Sequence, residues 1–107
     1  MTDGIASTPE PPYWAVIFTS RRTAIQRGYD EMAERMVGLV GKQPGFLGFE
    51  SVHEGGVGIT VSYWTDRESI RNWKEQPQHV VAQQTGKRVW YEDYALRVAR
   101  VERVSGK

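Results

Sequence analysis

The spacing of apolar residues changes period several times along this chain, and each change marks an element. Residues 13–20, YWAVIFTS, are aromatic and β-branched and read as a strand. Its two alternating sets, Tyr13/Ala15/Ile17 and Trp14/Val16/Phe18, are both largely apolar, which predicts burial on both faces. Between 25 and 40 the period becomes helical. Ile25, Tyr29, Met32, Met36, Leu39 and Val40 recur on one face with Arg27, Asp30, Glu31, Glu34 and Arg35 between them. Gly41 ends this helix, and residues 43–45, QPG, form a turn. Residues 46–54 and 57–65 are two further strands joined through Gly55-Gly56, a hairpin signal. Thr65-x-x-Glu68 fits a capping box that opens a short helix carrying Ile70 and Trp73. Pro77 suits the first turn of a second helical segment, with Gly86 at its end. Residues 90–104 are a long final strand, and residues 1–12, small, polar and proline-rich, are a loose arm before a domain spanning 13–107.

The order β-α-β-β-α-β predicts an α+β, ferredoxin-like fold: a four-stranded antiparallel sheet with helices on one face. Strands that are apolar on both faces then need a cover on the helix-free side. A second copy laid sheet to sheet supplies it, so a symmetric homodimer is expected.

Composition narrows the function classes. The 107 residues suit one domain, with 39% hydrophobic and 25% charged residues. Fourteen Lys and Arg against 13 Asp and Glu give a net charge of +1, with no electrostatic reason to expect nucleic acid or an anionic membrane as partner. The absence of cysteine removes disulfides, thiolate metal sites and Cys nucleophiles. The apolar runs are too short to span a bilayer, and the first residues lack the features of a secretory signal, which predicts a cytoplasmic protein. His53 and His79 lie far apart without HxH or HxxxH spacing, so no metal site is expected. The glycine-rich stretches lack phosphate-loop spacing, and no nucleophile elbow occurs.

Candidate chemistry concentrates between Ser62 and Tyr94, which holds three of the four tryptophans, three of the five tyrosines and His79. So many amphipathic rings exceed what filling a core requires. Trp73 is either a core anchor or a flat wall for an aromatic ligand. His79, whose imidazole titrates near neutral pH, is either a surface residue or an acid/base group. Gln83 lies at i, i+4 from His79 and shares its helix face. Tyr91 and Tyr94 fall on opposite faces of the last strand, so one of them at most points at the pocket that Trp73 lines. Trp64, at a strand end, suits packing as well as lining.

The β-α-β-β-α-β order, the GF-x-GFES pattern at 45–51 and a closing block make a family resemblance visible. That block runs Ser62-Tyr63-Trp64, Asn72-Trp73-Lys74, His79, Ala82-Gln83, Gly86, Trp90-Tyr91-x-x-Tyr94 and Val101-Glu102-Arg103. From about Tyr13 onward the chain resembles the antibiotic biosynthesis monooxygenase superfamily of dimeric α/β barrels. The resemblance implies a dimeric α/β barrel and either a cofactor-independent oxygenase of phenolic rings or a haem-degrading enzyme. In haem-degrading members an Asn ends the first strand, a Trp lies on the second helix and a His beyond it ligates iron. Trp73 matches the tryptophan, whereas Ser20 (or Thr19) stands at the asparagine and Gln83 near the ligand, with His79 one turn earlier.

The resulting expectation is a small monooxygenase of an aromatic or phenolic substrate that needs no bound cofactor. His79, Trp73 and Asn72 would be its catalytic group, and Gln83, Ser20, Tyr91, Tyr94 and Trp64 its substrate-binding group. The alternatives are haem binding or degradation, or a non-catalytic dimer that holds a small molecule.

Overall fold

A computed structural model describes residues 4–106. Strand β1 (Tyr13–Arg22) leads through a connection to helix α1 (Tyr29–Val40). Strands β2 (Phe46–Glu54) and β3 (Val57–Trp64) form the hairpin; Gly55 and Gly56 both take positive φ, 59° and 81°, as its tight turn demands. Helices α2 (Arg67–Lys74) and α3 (Pro77–Thr85) follow. A π-helical turn over Gly86–Trp90 then leads into strand β4 (Tyr91–Val101). The expected helix start at Ile25 moves to Tyr29. Residues 23–28 are tied instead to the end of the π-helical turn, through Thr23 N–H to the Trp90 carbonyl at 2.8 Å and Trp90 Nε1 to the Arg27 carbonyl at 3.0 Å.

The sheet is antiparallel throughout, in the order β2-β3-β1-β4, which is the ferredoxin-like topology. It is an open sheet. The dimeric α/β barrel implied by the family resemblance is not what this chain forms, because closing a barrel requires the edge strands to bond to each other. Here β2 and β4 are held apart by β3 and β1.

Register assigns the faces, since residues opposite one another in a ladder point the same way. Trp14, Val16, Phe18 and Ser20 share a face with Trp64, Ser62 and Thr60 of β3 and with Val98, Leu96 and Tyr94 of β4. The helices lie on this face: Arg67 of α2 stands 5.2 Å over the Trp14 ring, and Tyr29 of α1 meets Tyr91. Trp64 is its anchor, fully buried, edge-on to Phe46, with its indole N–H on Ser62 Oγ at 2.9 Å. Truncating so large an enclosed ring costs about 3–5 kcal/mol.

The opposite face carries Tyr13, Ala15, Ile17, Val61, Ile59 and Val52, away from the helices of the described residues. Residues 4–12 cross one end of it. Ala6 N–H donates to Glu50 Oε2 at 3.0 Å, and Thr8 and Tyr13 hydroxyls meet at 2.8 Å, leaving Tyr13 buried. Tyr63 donates to the other Glu50 oxygen at 2.7 Å; burial and that carboxylate push its pKa up to about 12. Beyond the arm, Val52, Val57 and Ile59 remain exposed.

Candidate functional site

The α2–α3 corner is built by two caps. The cap of α2 is Asp66 rather than the expected Thr65: its Oδ1 accepts the Ser69 N–H at 2.7 Å, and Thr65 Oγ1 only supports the carboxylate at 3.2 Å. A carboxylate outcompetes a hydroxyl there because it also meets the positive end of the helix dipole. That hydrogen bonding holds the Asp66 carboxyl below its ordinary pKa. Helix α3 opens as expected at Pro77, with Gln76 as cap; its side-chain oxygen accepts from Gln78 N–H at 2.8 Å and His79 N–H at 3.0 Å.

The break between the helices folds α3 back onto the end of α2. The His79 ring stacks on Trp73, with centroids 4.0 Å apart and planes 14° from parallel. His79 Nδ1 lies 2.8 Å from the Trp73 carbonyl, and Gln83 Nε2 donates to the Lys74 carbonyl at 2.9 Å while lying 3.4 Å from His79 Nδ1. A carbonyl can only accept, so Nδ1 carries the proton and Nε2 keeps its lone pair. Burial pushes the His79 pKa down, opposed by the Trp73 carbonyl bond, so the ring is neutral at pH 7. Trp73, His79 and Gln83 therefore form one cluster. Asn72 is exposed, and among the described residues its side chain makes no hydrogen bond to them.

The remaining candidates sit on the sheet. Ser20 is buried near the end of β1, opposite Tyr94 on one side and Gly58 on the other. Trp64 is enclosed in the core at the far end. Tyr91 and Tyr94 do not point to opposite faces. A bulge pairs Arg22 with Tyr91 and Arg21 with Asp93, so one extra residue of β4 is accommodated and strict alternation fails. Both rings meet Phe18, at 5.3 and 5.5 Å, and each other at 6.3 Å. Tyr91 also reaches Tyr29, with hydroxyl oxygens 3.5 Å apart, and burial and this neighbour raise its pKa well above the ordinary phenol value.

Phe18, Tyr29 and Arg22 are thus members of the aromatic cluster that spacing alone did not single out. Arg21 and Arg22 are adjacent in sequence and look alike there. In the fold Arg21 pairs with Asp93 at 3.1 Å, whereas the Arg22 guanidinium lies 3.3 Å over the Tyr29 ring. Two shallow concavities are lined by residues outside both clusters. One of about 230 Å³ is lined by Glu50, Val52, Ile59 and Val61, the other of about 180 Å³ by Met32, Arg35, Met36, Gln78 and Val81. Among the described residues no three His, Asp or Glu side chains gather to hold a metal, and no helix is long and apolar enough to cross a membrane.

Known proteins with this fold share the arrangement of elements. The chain is similar to SnoaB from Streptomyces nogalater, described as a cofactor-independent oxygenase, with a TM-score of 0.75 at 14% identity over 91% of this chain and 100% of that one. It is similar to Rv0793 from Mycobacterium tuberculosis, with a TM-score of 0.74 at 14% identity over 87% and 99% of the two chains. At this identity the likeness is one of fold. In sequence it is 54% identical over 104 residues to YqjZ of Bacillus subtilis (strain 168), covering 96% of this chain and 91% of that protein. The family described as antibiotic biosynthesis monooxygenase matches residues 22–85. A match over more than half its length, from the end of β1 to the end of α3, means that this chain belongs to the antibiotic biosynthesis monooxygenase family.

Proposed function

We propose that this chain is a small cofactor-independent monooxygenase of aromatic, phenolic substrates and works as a homodimer. The observation that carries the reading is the contact of His79 Nδ1 with the Trp73 carbonyl at 2.8 Å. The Nδ1–H is committed to that carbonyl, so a neutral imidazole offers Nε2 as a base. Support also comes from the aromatic lining around Phe18, Tyr91 and Tyr94, and from the fold shared with SnoaB, a cofactor-independent oxygenase. The exposed apolar residues Val52, Val57 and Ile59 on the helix-free face favour a second copy as their cover.

An electron-rich phenol or anthrone needs little help to meet dioxygen. His79 Nε2 removes one proton, and the resulting anion passes one electron to O₂. Substrate radical and superoxide combine to form a C–O bond, and the peroxide takes the proton from His79. Loss of water with the remaining C–H proton breaks the O–O bond and leaves a ketone: anthrone plus O₂ gives anthraquinone plus water. Trp73, stacked on His79 and accepting from it through its carbonyl, holds the imidazole in position beside the substrate ring. Asn72 or Gln83 serves as a donor to the developing oxyanion.

The test is aerobic turnover of anthrone by wild type and His79→Ala. The expected loss is roughly 10²–10⁴-fold in kcat with a smaller change in KM. Turnover within a few-fold of wild type in His79→Ala removes the base role. Haem is the competing occupant, because a free Nε2 on a histidine whose Nδ1–H binds a carbonyl also suits an iron ligand. Stoichiometric haem binding with a shifted Soret band, lost in His79→Ala, would favour it.

A further inference from the structure

The aromatic cluster around Phe18, Tyr91 and Tyr94 has an end that the chemistry proposed above does not use. It lies where β1 runs out, at the opposite end of the strand from Trp14 and its partner Trp64. Arg22 is half-buried there, with its guanidinium carbon 3.3 Å from the centre of the Tyr29 ring. The ion pairs of the described residues join Arg21 to Asp93 and Arg100 to Glu102, and none involves Arg22. Its Nη2 makes two long contacts, 3.4 Å to the Ile25 carbonyl and 3.3 Å to Gln26 Oε1. Nε is buried with no acceptor among the described residues, and Nη1 has no protein partner yet is not enclosed. A partly desolvated cation with no anion beside it is unfavourable. The edge of the fork formed by the open Nη1 and its neighbour Nη2 matches the two oxygens of a carboxylate.

The surroundings give the shape of the missing partner. Tyr29 and Tyr91 bring their hydroxyls within 3.5 Å of each other, and Phe18 touches both Tyr91 and Tyr94. Tyr94 and Leu96 are side by side with Ser20 and Phe18 on the helix-bearing face and are 42% and 53% exposed. A flat ring can therefore approach along the open β4 side of this cluster with its polar end toward Arg22. We propose that Arg22, flanked by Tyr29 and Tyr91, is a specificity-determining subsite for a carboxylate borne by a planar aromatic ligand. The proposal rests on the monooxygenase reading only for the aromatic class of the substrate; the anion preference stands on the unpaired guanidinium.

The probes are 2-naphthoate and its neutral isostere 2-naphthamide, titrated calorimetrically into the full-length protein. Neither is oxidised, so the result does not depend on turnover. Wild type should bind naphthoate at least ten-fold more tightly than naphthamide. Arg22→Gln should erase that preference while changing naphthamide affinity less than three-fold, with folding checked by circular dichroism. Arg22→Lys keeps the charge without the fork and should weaken naphthoate by at least three-fold, which decides the matter if the glutamine variant does not fold. Equal affinities in wild type, no binding of either probe, or a preference that survives either substitution would overturn the subsite. Loss of anthrone oxidation alone, with the preference intact, would instead remove the monooxygenase reading.

Discussion

The turn before β2 seats helix α2, and one methyl group there should unseat it. Gly45 has φ of +83°, and a Cβ at this position would overlap Ser69 Oγ and stand 2.6 Å from Ser69 Cβ and 2.8 Å from Thr65 Oγ1. None of these neighbours is free to withdraw. Ser69 is buried with its N–H held by Asp66, and Thr65 N–H is bonded to the Gly45 carbonyl at 2.9 Å. Gly45→Ala therefore combines a left-handed backbone penalty of about 1–2 kcal/mol with overpacking of about 1–3 kcal/mol. A total near 3 kcal/mol lowers the Tm of a domain of this size by roughly 12–24 °C. Urea and thermal denaturation at one protein concentration measure it. In a Ser69→Gly background the overlap with Ser69 disappears, and the added cost of Gly45→Ala should fall to the backbone term plus the remaining Thr65 Oγ1 contact. A loss below about 1 kcal/mol, or an equal loss in both backgrounds, refutes the steric argument. Because α2 carries Trp73, the displaced helix should also disturb the His79 stack and reduce turnover.

Three further outcomes are expected. His79 has its folded pKa below the ordinary 6.5, so the unfolded chain binds its proton first: stability is complete above about pH 6.5 and declines as pH falls through the folded value. Denaturation midpoints at pH 7.5 and 5.5 should differ less in His79→Gln than in wild type; an unchanged difference counts against a buried neutral imidazole. Tyr63 titrates near 12 against an ordinary 10, so its contribution is present below pH 10 and lost between 10 and 12. Tyr63→Phe should cost about 0.5–1.5 kcal/mol at neutral pH and flatten the alkaline decline; no stability change would mean that the Glu50 bond is negligible. Light scattering should give twice 12.2 kDa at micromolar concentration, and a stable monomer refutes the second copy as cover of the helix-free face.

What could be read directly from sequence was whatever local chemistry decides. The β-branched and aromatic run from Tyr13 favours a strand, Gly55-Gly56 favours a hairpin turn, and within a helix Pro77 fits only the first turn. Those signals were enough for the element order and hence the ferredoxin-like topology. The i, i+4 relation of His79 and Gln83 was equally local. Contacts between residues distant in sequence were not legible. Nothing in the spacing across Pro77 says that His79 stacks on Trp73; that follows from the angle at which α3 folds back. Alternation placed Tyr91 and Tyr94 on opposite faces until pairing with β1 introduced a bulge at Arg21/Arg22. The same long-range pairing gave Arg21 a carboxylate in Asp93, 72 residues away, and left Arg22 over a tyrosine. Propensity and periodicity act within a turn or two of chain, whereas charge pairing and ring stacking depend on which strands become neighbours, and only the folded sheet decides that.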